Sequence, residues 1–140
     1  MSKVAVVYWS STGNTETMAN CVAEGVQAAG GTAVLLQPAD FSAADAASYD
    51  AIAFGCPAMG AEQLEEGEFE PMFSALEGSL NGKKVALFGS YGWGDGQWMR
   101  DWYDRTVSDG AVMVQTEGLI CNEAPDDDVQ EACRALGKSL

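Results

Sequence analysis

Apolar positions along this chain follow two alternating periods. Residues 3–8, Lys-Val-Ala-Val-Val-Tyr, form a continuous apolar run, the signature of a strand covered on both faces. Met18, Ala19, Val22 and Val26 then recur at helical spacing, which predicts a helix over 15–29 that Gly30-Gly31 stops. Residues 32–37 read as a second strand and residues 51–55, Ala-Ile-Ala-Phe-Gly, as a third. Phe69, Met72, Phe73, Leu76 and Leu80 lie on one side of a predicted helix over 69–80. A fourth strand follows at 84–89, a helix at 97–108, a fifth strand at 111–116 and a final helix at 127–138. One of the aspartates 126–128 is placed to cap that last helix.

Strands alternating with helices predict an α/β fold with a doubly wound, five-stranded parallel sheet. Right-handed crossovers put helices on both faces. In such sheets the ligand lies beyond the carboxyl ends of the strands, at the switch point. The loops after strands one, three and four are therefore the candidate site. No internal repeat, linker or low-complexity segment divides the 140 residues, so a single domain over 1–140 is expected.

Composition narrows the function. The apolar fraction of 47% supports a packed core, and no run approaches a membrane span. The first residues lead straight into a strand without a cleavage pattern, so a cytoplasmic place is expected. Seven basic against 21 acidic residues give a net charge of −14. Such a surface repels nucleic acid and anionic lipid and attracts basic partners; it also serves solubility. Cys21, Cys56, Cys121 and Cys133 form no CxxC pair and have no iron–sulfur or zinc spacing. The chain has no histidine, which excludes Ser-His-Asp and Cys-His catalysis.

The first loop, Ser10-Ser11-Thr12-Gly13-Asn14-Thr15, is rich in hydroxyls and opens a helix. Backbone amides and the dipole at a helix start favour an anion. Without Lys or Arg the loop is neither the GxxxxGK[ST] nucleotide loop nor the GxGxxG dinucleotide turn, and neutral donors suit a terminal phosphate monoester. An ordinary turn with an N-cap would look similar. The second loop, Cys56-Pro57-Ala58-Met59-Gly60-Ala61-Glu62, carries a methionine that can lie against an aromatic ring or fill a gap in the core. The third, Ser90-Tyr91-Gly92-Trp93-Gly94-Asp95-Gly96, holds Trp93 between glycines that cannot bury it. An anion cradle, a soft apolar contact and an aromatic plate suit a flat heteroaromatic bearing one phosphate, and FMN is the natural candidate.

At these residues the chain resembles the short-chain flavodoxins of anaerobic bacteria. The matching segments are Tyr-Trp-Ser-Ser-Thr-Gly-Asn-Thr at 8–15, Gly-Cys-Pro-Ala-Met-Gly at 55–60, Leu-Glu-Glu-Gly-Glu-Phe-Glu-Pro at 64–71 and Phe-Gly-Ser-Tyr-Gly-Trp-Gly-Asp-Gly at 88–96. The resemblance implies strand order 2-1-3-4-5 and a low-potential one-electron carrier in which FMN shuttles between semiquinone and hydroquinone. It implies that Ser10, Thr12, Gly13, Asn14 and Thr15 hold the phosphate. Met59 would pack on the inner flavin face and Trp93 on the outer, with Glu62 accepting the flavin N3–H. The Gly60 carbonyl would turn toward N5 on the first reduction. Some relatives carry an acidic residue where this chain has Ala61. A monomer docking basic redox proteins is expected, with Glu62, Glu65, Glu66, Glu68 and Asp95 around the exposed flavin edge.

Three other readings are weaker. An FMN-dependent quinone or nitro reductase needs a nicotinamide site and a substrate pocket, for which this short chain has no second domain. A receiver domain needs aspartates at the ends of strands one and three, where the chain has Trp9-Ser10 and Gly55-Cys56. A phosphatase needs a cysteine in the first loop.

Overall fold

The continuous apolar runs become the middle of a parallel sheet. The computed structural model describes residues 2–140 and leaves Met1 outside the described residues. In chain order it runs β1 (Lys3–Tyr8), α1 (Asn14–Ala28), β2 (Thr32–Leu36), α2 (Ala43–Ala46), β3 (Ala51–Gly55), α3 (Phe69–Leu76), β4 (Lys84–Tyr91), α4 (Gln97–Ser108), β5 (Val112–Met113), β6 (Leu119–Asn122) and α5 (Asp127–Lys138). The strand order is β2-β1-β3-β4-β5, all parallel, with β6 pairing β4 further along.

Successive strand residues point to opposite faces, and both faces are dry. Ala5, Val7, Ile52, Phe54, Val85 and Leu87 meet Phe69, Phe73, Leu76, Trp98 and Trp102 from α3 and α4. Val4, Val6, Ala53, Ala86 and Phe88 meet Met18, Val22, Val26, Cys133 and Leu136 from α1 and α5. The valines, leucines, isoleucine, methionine and phenylalanines among them contribute about 1.5–3 kcal/mol each on burial. Phe54 and Trp102 each set an edge against Phe69 and Phe73, with ring centroids 5.1–6.4 Å apart. On the other face α1 and α5 touch backbone to backbone. A Cβ on Gly25 would run into the Arg134 carbonyl, and one on Gly137 into that of Val22. All four cysteines are buried and unbridged.

The expected fifth strand at 111–116 is divided. β5 ends at Met113, and the Gln115 side chain, not a strand carbonyl, accepts the Leu87 N–H at 2.7 Å. Tyr103 donates its hydroxyl to the Gln115 carbonyl at 2.6 Å, which holds the excursion. Pairing with β4 resumes at Leu119. The helix expected over 69–80 is α-helical only to Leu76, then tightens to a 3-10 turn over Glu77–Ser79. Helix α5 starts where Asp126 accepts the Val129 N–H at 2.9 Å. Among the described residues no helix is long and apolar enough to cross a membrane.

Candidate functional site

The carboxyl ends of β1, β3 and β4 bring three loops together. The Trp9 N–H bonds the Gly55 carbonyl at 3.0 Å and extends the ladder one residue beyond β1. The chain then turns at Ser10, whose Oγ accepts the N–H of Gly13 at 3.1 Å and of Glu16 at 3.3 Å. Gly13 precedes α1 at φ +96°, with no side-chain cap. The amides of Asn14 and Thr15 in the first turn are thus left for an outside acceptor. Tyr8, Ser10, Ser11, Thr12, Gly13, Glu16 and Gln37 line a polar cleft of about 290 Å³ there. Asn14 and Thr15 are not on its wall, and the Thr15 side chain is 1% exposed. Tyr8 donates to Glu16 at 3.1 Å; burial first, and then the Glu16 carboxylate, push its phenol up. Sequence reasoning missed Tyr8, Glu16 and Gln37. Strand order 2-1 could have flagged Gln37, since it follows β2 beside β1.

The second loop stays on the sheet through Ala58, whose N–H bonds the Ser90 carbonyl at 3.1 Å. Met59 and Gln63 then exchange two bonds of 2.8 and 2.9 Å, closing a hairpin over Gly60, Ala61 and Glu62. Gly60 and Glu62 both stand at φ +54°. A non-glycine residue in that region is strained. The Glu62 Oε1 atom is buried without a hydrogen-bond partner, and a Cβ on Gly94 would strike this carboxylate. Glycine at 94 therefore lets the second and third loops close on each other and holds an unsatisfied acceptor between them. Upstream, burial pushes the Cys56 thiol up to about 12, so it stays protonated and unreactive.

Ser90 and Tyr91, expected in the third loop, belong to β4. Ser90 is buried and donates to the Glu123 carbonyl at 2.8 Å. Tyr91 packs on Trp98 at 5.5 Å, and its carbonyl takes the Glu123 N–H at 2.7 Å. Trp98 in turn donates to the Cys56 carbonyl at 3.1 Å. A fourth loop, at 123–126 after β6, thus joins the site edge. Sequence reasoning missed it by ending the last strand at 116, although Leu-Ile-Cys between Gly118 and Pro125 carried the signal. Trp93 exposes 67% of its surface against 2% for Trp98 and Trp102, although burying it would be favourable. Gly92 and Gly94 flank it, while Gly96 precedes α4.

A larger cavity, about 500 Å³, lies elsewhere, between α4 and residues 116–120, and includes Gly96, Met99, Arg100 and Tyr103. No orphaned polar atom lines it among the described residues, so the strand ends remain the candidate site. Of the acidic residues expected around the edge, two are already engaged. Asp95 pairs with Arg100 at 3.1 Å, and Glu65 turns its carboxylate onto backbone amides. Glu66 and Glu68 are exposed. No group of metal-binding side chains occurs among the described residues.

A single phosphate fits the free Asn14 and Thr15 amides at the α1 start, and the buried Glu62 oxygen needs a donor such as the N–H of a heteroaromatic ring. A family model described as Flavodoxin matches residues 6–137. The chain is 48% identical to a flavodoxin of Megasphaera elsdenii, over 97% of this chain and 96% of that one. It is 44% identical to a flavodoxin of Clostridium beijerinckii, over 96% of each. A solution structure of two-electron reduced Megasphaera elsdenii flavodoxin superposes with a TM-score of 0.88, covering 97% of this chain and 96% of that one at 48% identity.

Proposed function

The chain belongs to the flavodoxin family and is an FMN-binding electron-transfer protein, not an enzyme, and on that premise we propose that it uses the lower of the flavin's two one-electron steps. FMN supplies the electron chemistry; the protein binds it and tunes it. The reading is carried by the meeting of free amides at a helix start, the orphaned Glu62 oxygen and the exposed Trp93 beyond the strand ends.

In this reading Ser10, Ser11 and Thr12 offer hydroxyls to the phosphate, and Asn14 and Thr15 offer amides. Thr15 is too buried to offer more than its amide. Pro57, Ala58, Met59, Gly60, Ala61 and Glu62 would lie under one face and edge of the ring. Glu62 would accept the ring's imide N–H, and the Gly60 carbonyl would accept a hydrogen bond from the ring N–H formed in the first step. Gly92, Trp93, Gly94 and Asp95 would cover the other face, with Ser90, Tyr91 and Gly96 shaping that loop from behind. The three loops bring no lysine or arginine to the ring. The phosphate and Glu62 therefore oppose a second negative charge, which makes the second step the more strongly reducing. The protein exchanges electrons with redox partner proteins. We take these partners to be basic, docking on Glu66, Glu68 and the neighbouring acids of a monomer in the cytoplasm, with residues 1–140 as one FMN-binding domain.

Titrating apoprotein with FMN and with riboflavin tests the cradle. Hydrogen bonds to a charged group contribute about 1.5–3 kcal/mol each, so FMN should bind at least tenfold more tightly. Thr12→Ala should narrow the gap. Equal affinity for the two flavins would sink the phosphate reading.

A further inference from the structure

Glu65 sits at the joint between the Met59–Gln63 hairpin and α3, and every polar group it has is engaged there. Its N–H reaches the Cys56 sulfur at the end of β3, 3.4 Å away. Its carbonyl accepts the Glu70 N–H at 2.9 Å. Its carboxylate accepts three more amides, from Gly67 at 2.6 Å, Glu68 at 2.8 Å and Phe69 at 2.9 Å. Glu68, directly before α3, provides no side-chain cap, so Glu65 caps this helix from three residues further back. Gly67 leaves the room: a Cβ there would stand 2.8 Å from Glu65 Oε2. Burial pushes the Glu65 carboxyl up, but the amides of Phe69, Glu68 and Gly67 outweigh it and hold the group below the usual carboxylate range.

The hairpin carrying Met59, Gly60 and Glu62 is thus hung between two fixed points. One is the Ala58–Ser90 bond on the sheet; the other is Glu65. We propose that Glu65 is a positioning residue for the flavin site. It restrains the hairpin that must accommodate the ring's first reduction, and it acts through its backbone bonds and not through its charge. This rests on the FMN reading above.

Glu66 supplies the control, being the next residue, also a glutamate, and exposed. Glu65→Ala, Glu65→Gln and Glu66→Gln each remove one charge from the same segment. Two readings are compared: both one-electron potentials of the FMN-loaded protein, and amide exchange at Gly67, Glu68 and Phe69 in apoprotein. Glu65→Ala should change the first-step equilibrium tenfold or more, which is 59 mV, and should speed exchange at the three amides at least tenfold. Glu65→Gln keeps one acceptor oxygen and should fall between Glu65→Ala and wild type, and it remains informative if the alanine variant does not fold. Glu66→Gln should move both potentials together, by less than threefold in equilibrium, and leave exchange unchanged. Equal effects of Glu65→Gln and Glu66→Gln on the potentials would show that only charge matters and overturn the proposal. Unchanged exchange in both Glu65 variants would overturn it as well. Failure of wild-type apoprotein to take up FMN would instead sink the flavin reading, and the exchange arm would still report on the anchor.

Discussion

Gly60 and Gly94 both stand at positive φ, but for different reasons. No atom lies within 4 Å of where a Cβ on Gly60 would stand, so the constraint there is the φ of +54° alone. An L-residue in that region costs about 1–2 kcal/mol, least for Asn and most for a β-branched residue. Gly60→Asn, Gly60→Ala and Gly60→Thr are therefore expected to weaken FMN binding in that rising order. Titration of the three apoproteins measures this, and equal affinities would show that the turn relaxes freely. At Gly94 any side chain also meets the Glu62 carboxylate. Trp93 is expected to cover the flavin, as its 67% exposure leaves a large ring without protein cover. Trp93→Ala should cost about 1–3 kcal/mol of FMN affinity, by analogy with bases stacked on aromatic residues. Unchanged affinity would place the ring elsewhere.

Among the elements, α3 and α4 are stapled by one arginine. Arg105 on α4 holds Glu70 through two contacts of 2.7 Å and reaches Glu77 at 2.9 and 2.7 Å. The Arg105 guanidinium holds both carboxyls below their ordinary range. Asp109, just past α4, moves the other way: burial, and then Glu77 beside it, push its carboxyl up to about 6, against a weaker pull from Arg105. Its Oδ2 is buried without a partner, and a proton there could be shared with Glu77. An acid whose pKa is higher folded than unfolded stabilises the fold in its protonated form. That contribution is full below its ordinary value of 3.8 and is lost as pH rises through about 6. Asp109→Asn should accordingly raise the urea midpoint at pH 8 and leave it nearly unchanged at pH 4. A lower midpoint at pH 8 would mean that the ionised carboxylate is held by a partner. The divided fifth strand belongs to this scale as well. The apolar run Ala111–Val114 with Gln115 and Thr116 reads as one strand, because no pattern shows that the Gln115 side chain will stand in for a strand carbonyl.

For the whole molecule, the net charge of −14 sets how partners approach. The acids are not equivalent, since Asp95, Glu70 and Glu77 are paired with arginines while Glu66 and Glu68 are exposed. Reduction by a basic donor is expected to slow as salt rises past roughly 0.1 M, where the screening length is about 10 Å. Glu66→Gln and Glu68→Gln together should lower the slope of rate against salt. A rate flat across the salt series would mean that the charge serves solubility.

Much of this protein was legible in its sequence. Continuous apolar runs dictated strands buried on both faces, and the helices at 97–108 and 127–138 were bounded correctly by period and cap. The hydroxyl-rich, methionine-bearing and glycine-rich loops were placed correctly, beyond the ends of the first, third and fourth strands. Burial period and turn chemistry depend on neighbours along the chain, so sequence by itself determines them. The tertiary structure alone decided which loops meet. It set Glu62 against Gly94, bound Ser90 to the Glu123 carbonyl 33 positions away and placed Trp98 on the Cys56 carbonyl 42 positions away. It also brought α1 and α5 into backbone contact at Gly25 and Gly137 and turned Glu65 inward onto α3. Such pairings depend on how strand order and helix packing bring distant segments together, and no local pattern of apolar and polar residues encodes that distance.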